Sequence, residues 1–194
     1  KSMNEADNCD IRAELDIDKD APVILTLSRI AAEKKIDHIL DVMPDIIEEF
    51  PKAKLVIAGD GPDVKMLKEH VERLTLEDYV IFTGAIAHED VGNYYKMADL
   101  FVSASDTETQ GLTYIEALAA GTQCVVYDTD YTERVFDDEM YGKIFTTKKE
   151  MLADILWYLR QGKIKIPQDK LENKMDQVSA KHFGLEVYDF YQDV

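Results

Sequence analysis

The sequence has few basic residues for its length. Its 194 residues contain 22 Lys and Arg against 39 Asp and Glu, so the formal net charge is −17. A surface of this sign repels polyanions, which argues against a nucleic-acid partner and against broad adhesion to anionic membranes. Any phosphate-bearing ligand must therefore be held by local positive charge.

Cysteine and long apolar runs are also scarce. Cys9 lies in a polar leader and Cys124 in an apolar run, so we expect neither a disulfide nor a metal site between them, as in a reducing cytoplasm. No run of about 18 apolar residues is present, so no membrane span is predicted. Residues 1–20 are acidic and lack the apolar core of a signal peptide.

Several catalytic motifs are missing as well. The sequence has no G-x-x-x-x-G-K-[ST] phosphate loop, no H-E-x-x-H, and no histidines at metal-ligand spacing. Gly59-Asp-Gly61 lacks the third glycine of a dinucleotide fingerprint, because position 64 is Val, so we interpret it as a structural turn. Asp128-Thr-Asp130 has a metal-binding form, but acids are so frequent here that chance explains it. We therefore expect no metal and no cofactor.

What the sequence does contain is an alternation of short apolar runs with amphipathic stretches. Runs that are apolar throughout are typical of strands buried on both faces. The predicted strands are Pro22–Leu27, Lys54–Ala58, Tyr79–Phe82, Leu100–Val102, Gln123–Tyr127 and Lys143–Phe145. The predicted helices cover about residues 35–50, 63–74, 89–97, 112–120, 148–160, 168–180 and 182–192.

This alternation predicts a doubly wound, Rossmann-like α/β fold. It has a parallel sheet of about six strands, helices on both faces and a helical C-terminal tail. We expect a leader over residues 1–10 and one domain over residues 11–194. Ligands of such sheets bind outside the carboxyl ends of the strands, so the loops at 28–35, 83–88 and 103–111 are the candidate sites.

The central stretch runs from Ser103 to Gly121, as a strand end, a polar loop and a helix. The helix N-terminus offers the N–H groups of Gly111, Leu112 and Thr113 to a phosphate. Glu108 and Glu116 could accept hydrogen bonds from sugar or ribose hydroxyls at the same place. The alternative is that Glu108 is a solvated loop acid and Glu116 only favours the helix dipole.

Arg29 and Lys34 leave the first predicted strand and are candidates for a pyrophosphate clamp, because Arg binds two phosphate oxygens through its fork. The alternative is a solvated loop that pairs with Glu33.

The spacing Glu108-x7-Glu116, within Ser103-Ala-Ser105 and Glu116-Ala-Leu-Ala-Ala-Gly121, resembles the signature of retaining glycosyltransferases of family 4, which have the GT-B fold. Glu108-Thr-Gln-Gly-Leu112 resembles the bacterial subgroup that glucosylates diacylglycerol or a similar lipid. The resemblance implies that Glu108 contacts the donor sugar, Glu116 the nucleotide ribose, and Arg29 and Lys34 the donor phosphates. It also implies that the backbone near Ile86 contacts the base.

Two positions depart from the family pattern. The glycine that usually follows the clamp lysine is Lys35 here, which puts the backbone shape of that loop in question. The loop 128–133 carries Tyr131 and Thr132 where the family often has two glycines, which puts the identity of the sugar in question.

The resemblance further implies the donor-binding half of an enzyme that transfers glucose from UDP-glucose to a lipid or glycolipid, with retention. The acceptor domain, with its catalytic-site histidine and basic membrane surface, would precede Lys1, so we expect this chain alone to bind donor but transfer little. The whole protein would be cytoplasmic, either free or peripheral at the inner membrane face. Three alternatives stay open: a polysaccharide synthase, a nucleotide-sugar epimerase, and a binding module without catalysis.

Overall fold

The computed structural model describes residues 10–107 and 111–178, and within these ranges it confirms the predicted alternation. The strands are β1 (Val23–Leu27), β2 (Lys54–Ala58), β3 (Val80–Gly84), β4 (Leu100–Ser103), β5 (Gln123–Tyr127) and β6 (Gly142–Phe145). The helices are α1 (Ile11–Glu14), α2 (Ile36–Glu49), α3 (Val64–Leu74), α4 (Val91–Met97), α5 (Leu112–Ala119), α6 (Asp130–Val135), α7 (Lys148–Gln161) and α8 (Gln168–Val178). The predicted leader up to residue 9 and the helix predicted for about residues 182–192 lie outside the described ranges.

The six strands form one parallel sheet in the order β3-β2-β1-β4-β5-β6. The order reverses between β1 and β4, where Ile24 pairs with Leu100 and Leu25 with Phe101. In such a sheet the crevice at the reversal, outside the carboxyl ends of the strands, is the usual place for a ligand. The loops that leave β1 and β4 therefore flank the candidate site.

Both faces of the sheet are buried, which explains why the strands are apolar at consecutive positions. Ile24 and Leu25 are both 0% exposed although they point to opposite faces. One face packs on α2, α3 and α7, and the other on α1, α4, α5 and α8. Each such Leu or Ile contributes roughly 1.5–3 kcal/mol when it is fully buried.

Helix α6 corrects the prediction of a loop over residues 128–133. Its first turn is closed by a reciprocal pair of hydrogen bonds, in which the backbone N–H of Thr132 donates to Thr129 Oγ1 at 3.2 Å. The backbone N–H of Thr129 donates in turn to Thr132 Oγ1 at 2.7 Å. A capping box with threonine at its third position satisfies the same donors as the usual one with Glu or Gln.

Candidate functional site

The candidate residues lie at one edge of the sheet, where the parallel strands end. Arg29 and Lys34 follow β1, Ile86 follows β3, and the segment from Gly111 to Glu116 follows β4. Glu108, Thr109 and Gln110 lie outside the described residues, so the predicted role of Glu108 stays a prediction. Because β1 and β4 are neighbours at the reversal, the cationic loop, which carries Arg29 and Lys34, lies on one side of the crevice and the N-terminus of α5 on the other.

The loop that carries Arg29 rests on the turn after β2. The backbone N–H of Ile30 donates to the carbonyl oxygen of Asp60 at 2.9 Å, and Ile30 is buried. A Cβ atom at Gly61 would lie only 2.0 Å from the carbonyl oxygen of Ile30, so only glycine allows this approach. The turn Gly59-Asp-Gly61 is therefore structural, and it supports the backbone next to Arg29.

The Arg29 side chain is exposed at this edge. Its guanidinium makes no hydrogen bond or ion pair with any residue of the described ranges. Five N–H donors in a rigid fork are thus available to a carboxylate or phosphate.

Lys35 keeps the backbone shape that glycine usually provides at this position. It follows a 3₁₀ turn, Ala32–Lys34, and adopts φ 47° and ψ 40°, in the left-handed region. Such a conformation is costly for a residue with a Cβ atom and routine for glycine. The loop therefore has the geometry of a glycine-containing turn in spite of the substitution.

The Lys35 side chain links three strand ends. Its Nζ lies 2.5 Å from Asp106 Oδ2, in the loop after β4, and 5.7 Å from the ring centroid of Tyr127, at the end of β5. The ammonium group, through this hydrogen bond, holds the pKa of the Asp106 carboxyl below its usual range. The carboxylate is therefore ionised at neutral pH, and the pair joins the two loops across the crevice.

Gly111 is the N-cap residue of α5; it has φ 55° and is buried. A Cβ atom there would lie 2.1 Å from Cε1 of Tyr131, so the ring of Tyr131 packs directly on the helix start. The backbone N–H groups of Leu112 and Thr113 have no hydrogen-bond acceptor among the described residues. They point out of the helix N-terminus, where an anion binds most favourably.

Glu116 lies in the second turn of α5, as predicted, and is half-buried. Its Oε2 accepts a hydrogen bond from the hydroxyl of Tyr95 at 3.3 Å. Tyr95 was missed as a site residue, because the sequence favours only a packing face for it. Nothing in the linear pattern indicates that α4 places a phenol against α5.

Ile86 lies just beyond β3, two strands away from β1. Its side chain packs against the apolar cluster that covers the α4 and α5 face of the sheet. Contact with a base would therefore come from the backbone of this loop and not from the side chain. In the described ranges, no group of three or more His, Cys, Asp or Glu side chains could hold a metal ion, and this includes Asp128 and Asp130.

The crevice therefore combines two complementary chemistries. On the β1 side lies an exposed guanidinium that can bind phosphate oxygens. On the β4 side lie the Glu116 carboxylate and the N–H groups of Leu112 and Thr113, which have no acceptor among the described residues. Phosphates suit the cation and the helix N-terminus, whereas hydroxyl groups suit the carboxylate. A ligand with both kinds of group, such as a sugar nucleotide, would satisfy all of them.

Comparison with known proteins agrees with this chemistry. Residues 7–181 match the family model for glycosyl transferases group 1. The alpha-monoglucosyldiacylglycerol synthase of Streptococcus pneumoniae is 40% identical over 187 residues, which cover 95% of this chain and 42% of that protein. The synthase of the same name from Acholeplasma laidlawii is 34% identical over 178 residues, with 92% and 44% covered. The chain thus spans less than half the length of these relatives.

Solved structures share the fold. The Anabaena protein HepE in complex with UDP superposes with a TM-score of 0.81 at 18% identity, over 100% of this chain and 56% of that one. Its complex with UDP-glucose gives 0.78 at 18% identity, over the same shares of the two chains. At these identities the likeness establishes the fold alone, and it confirms the predicted half of a GT-B architecture. No helix of the described residues is long and apolar enough to cross a bilayer.

Proposed function

The chain belongs to the group 1 glycosyl transferases, and we propose that it is the donor-binding half of a retaining enzyme that transfers glucose from UDP-glucose to a lipid or glycolipid hydroxyl. The observation that carries the proposal is the crevice at the strand reversal. On one side, the Arg29 guanidinium has no partner among the described residues, which suits a diphosphate. On the other side, a helix N-terminus and a carboxylate suit the phosphate and the ribose of such a donor.

Each candidate residue has a distinct task in this proposal. Arg29 and Lys34 bind the diphosphate and stabilise the negative charge that develops on it as the bond to the sugar breaks. The N–H groups of Gly111, Leu112 and Thr113 bind phosphate oxygens at the start of α5. These contacts strengthen as the leaving group gains charge, so they favour the transition state over the bound donor.

The hydroxyl groups of the donor are assigned to carboxylates. Glu116 accepts from the ribose, and Glu108, outside the described residues, orients the sugar. The acceptor hydroxyl attacks from the face that the diphosphate leaves, and a donor phosphate oxygen takes its proton. This route needs no general base in this chain and retains the configuration at the anomeric carbon.

The lipid acceptor is a proposal that rests on the two synthases, whose names specify a glucosylated diacylglycerol. We propose that a second domain of the same protein binds it and brings the complex to the membrane surface. This chain by itself would then bind donor and transfer little or no glucose.

Calorimetric titration tests the donor assignment. The chain is titrated with UDP, UDP-glucose, UDP-galactose and GDP-mannose, beside Arg29→Ala and Glu116→Ala. Arg73→Ala, at an exposed position of α3, is the matched control. We expect binding of UDP and UDP-glucose that both site variants weaken and the control does not. Preference for GDP-mannose would contradict the nucleotide assignment, and binding that neither site variant weakens would contradict the location of the site.

A further inference from the structure

Tyr95 carries a polar group into the core with a single partner. The residue is 0% exposed, and its hydroxyl donates to Oε2 of Glu116 at 3.3 Å. Among the residues that the structure describes, neither side chain has another hydrogen-bond partner. Burial and the neighbouring Glu116 charge raise the pKa of the Tyr95 phenol, so it remains a donor at every physiological pH.

The position of this phenol is closely held. Its ring meets the ring of Phe101 edge-on, with centroids 5.5 Å apart, and the backbone carbonyl of Tyr95 accepts from Thr122 Oγ1 at 2.7 Å. Tyr95 is therefore fixed to β4 on one side and to the residue that precedes β5 on the other. A donor on so rigid a base can fix the position of a flexible acceptor.

Stability alone gives little reason for the hydroxyl. Burying a hydroxyl costs free energy unless it is hydrogen-bonded, and phenylalanine fills nearly the same space without that cost. The one bond that offsets the cost here goes to Glu116, a half-buried carboxylate that solvent could hydrate instead. The phenol therefore acts on Glu116 more than it acts on the core.

We propose that Tyr95 is a positioning residue, which holds Oε2 of Glu116 so that the carboxylate is ready to accept the ribose hydroxyls of the donor. This inference rests on the function proposed above. A free glutamate side chain has three rotatable bonds, and ordering it on binding costs affinity. The Tyr95 bond orders it in advance and leaves Oε1 open to the ligand.

A double-mutant cycle with two ligands tests this. Tyr95→Phe, Glu116→Ala and the double variant of this chain are titrated with UDP and with 2′,3′-dideoxy-UDP, which lacks the ribose hydroxyls. We expect Tyr95→Phe to weaken UDP binding about 3- to 10-fold and dideoxy-UDP binding less than about 2-fold. In the Glu116→Ala background, Tyr95→Phe should change neither affinity.

Tyr158→Phe is the matched control, because it removes another buried phenol bond, to the carbonyl oxygen of Glu139, without contact to Glu116. It should leave both affinities unchanged. Equal weakening of both ligands by Tyr95→Phe would overturn the inference, since a structural role would not distinguish them. The inference would also be overturned if Glu116→Ala weakened UDP binding and Tyr95→Phe left the UDP affinity unchanged. Failure of the unsubstituted chain to bind UDP would overturn the proposed function itself, and this inference with it.

Discussion

Arg12 and Arg29 lie at opposite ends of the parallel strands, and they differ in whether their side chains have partners. At the amino ends of the strands, Arg12 donates to the carbonyl oxygens of Met97 and Ala21 and to Oδ2 of Asp99, each at 2.9 Å. Asp99 in turn accepts the backbone N–H of Val23 at 2.8 Å. At the carboxyl ends of the strands, Arg29 is exposed, and its side chain has no partner in the described ranges.

This difference separates a structural charge from one that is available to a ligand. Arg12 satisfies backbone groups that precede β1 and β4, so its donors are occupied inside the protein. The Arg29 loop is held through the backbone N–H of Ile30, which donates to Asp60, but the guanidinium itself has no partner among the described residues. A rigid backbone with a free side chain is what a binding site needs, because ordering the loop then costs nothing on binding.

The largest effect that tests this contrast is expected at Arg12. Arg12→Ala removes the charged partner of Asp99 and the side-chain donor of two backbone carbonyls. We expect a loss of about 2–3 kcal/mol of stability, since the pair is only partly buried. The melting temperature should fall by about 4–12 °C. Calorimetry at a temperature where the variant is folded should give an unchanged UDP affinity. A variant that melts like Arg73→Ala would show that Arg12 is not structural.

The opposite profile is expected at Arg29. Arg29→Ala should weaken UDP binding about 10- to 100-fold, because charge-assisted bonds to phosphate are lost. The melting temperature should stay within about 1 °C of the unsubstituted chain, since surface positions without special contacts contribute little. A clear loss of thermal stability would mean that Arg29 belongs to an internal network, as Arg12 does. The proposed difference between the two arginines would then be wrong.

The fold could be predicted from the sequence, whereas the contacts within the candidate site could not. Short apolar runs and amphipathic stretches are local signals, so all six strands of the described ranges were placed to within two residues. Helix α6 was missed because it is short and because its N-terminus is capped by Thr129 and Thr132, residues that are also typical of loops.

The contacts of the site depend instead on the order of the strands, which no local pattern encodes. Lys35 meets Asp106 only because β1 lies beside β4, and the two residues are 71 positions apart. Tyr95 meets Glu116 because α4 and α5 pack on the same face. Family resemblance assigned a role to Glu116, but it could not indicate the phenol that bonds to it.

The smallest effect concerns the backbone at Lys35, which stands where the family usually has glycine. Lys35→Gly relieves the left-handed strain and loses the bond to Asp106, whereas Lys35→Ala loses the same bond and keeps the strain. The two variants share the lost bond, so their difference isolates the backbone, and we expect the glycine variant to melt about 2–4 °C higher. Equal melting temperatures would show that position 35 relaxes out of the left-handed region once the lysine is gone. In that case the Lys35–Asp106 bond, and not the chain before it, gives the cationic loop its shape.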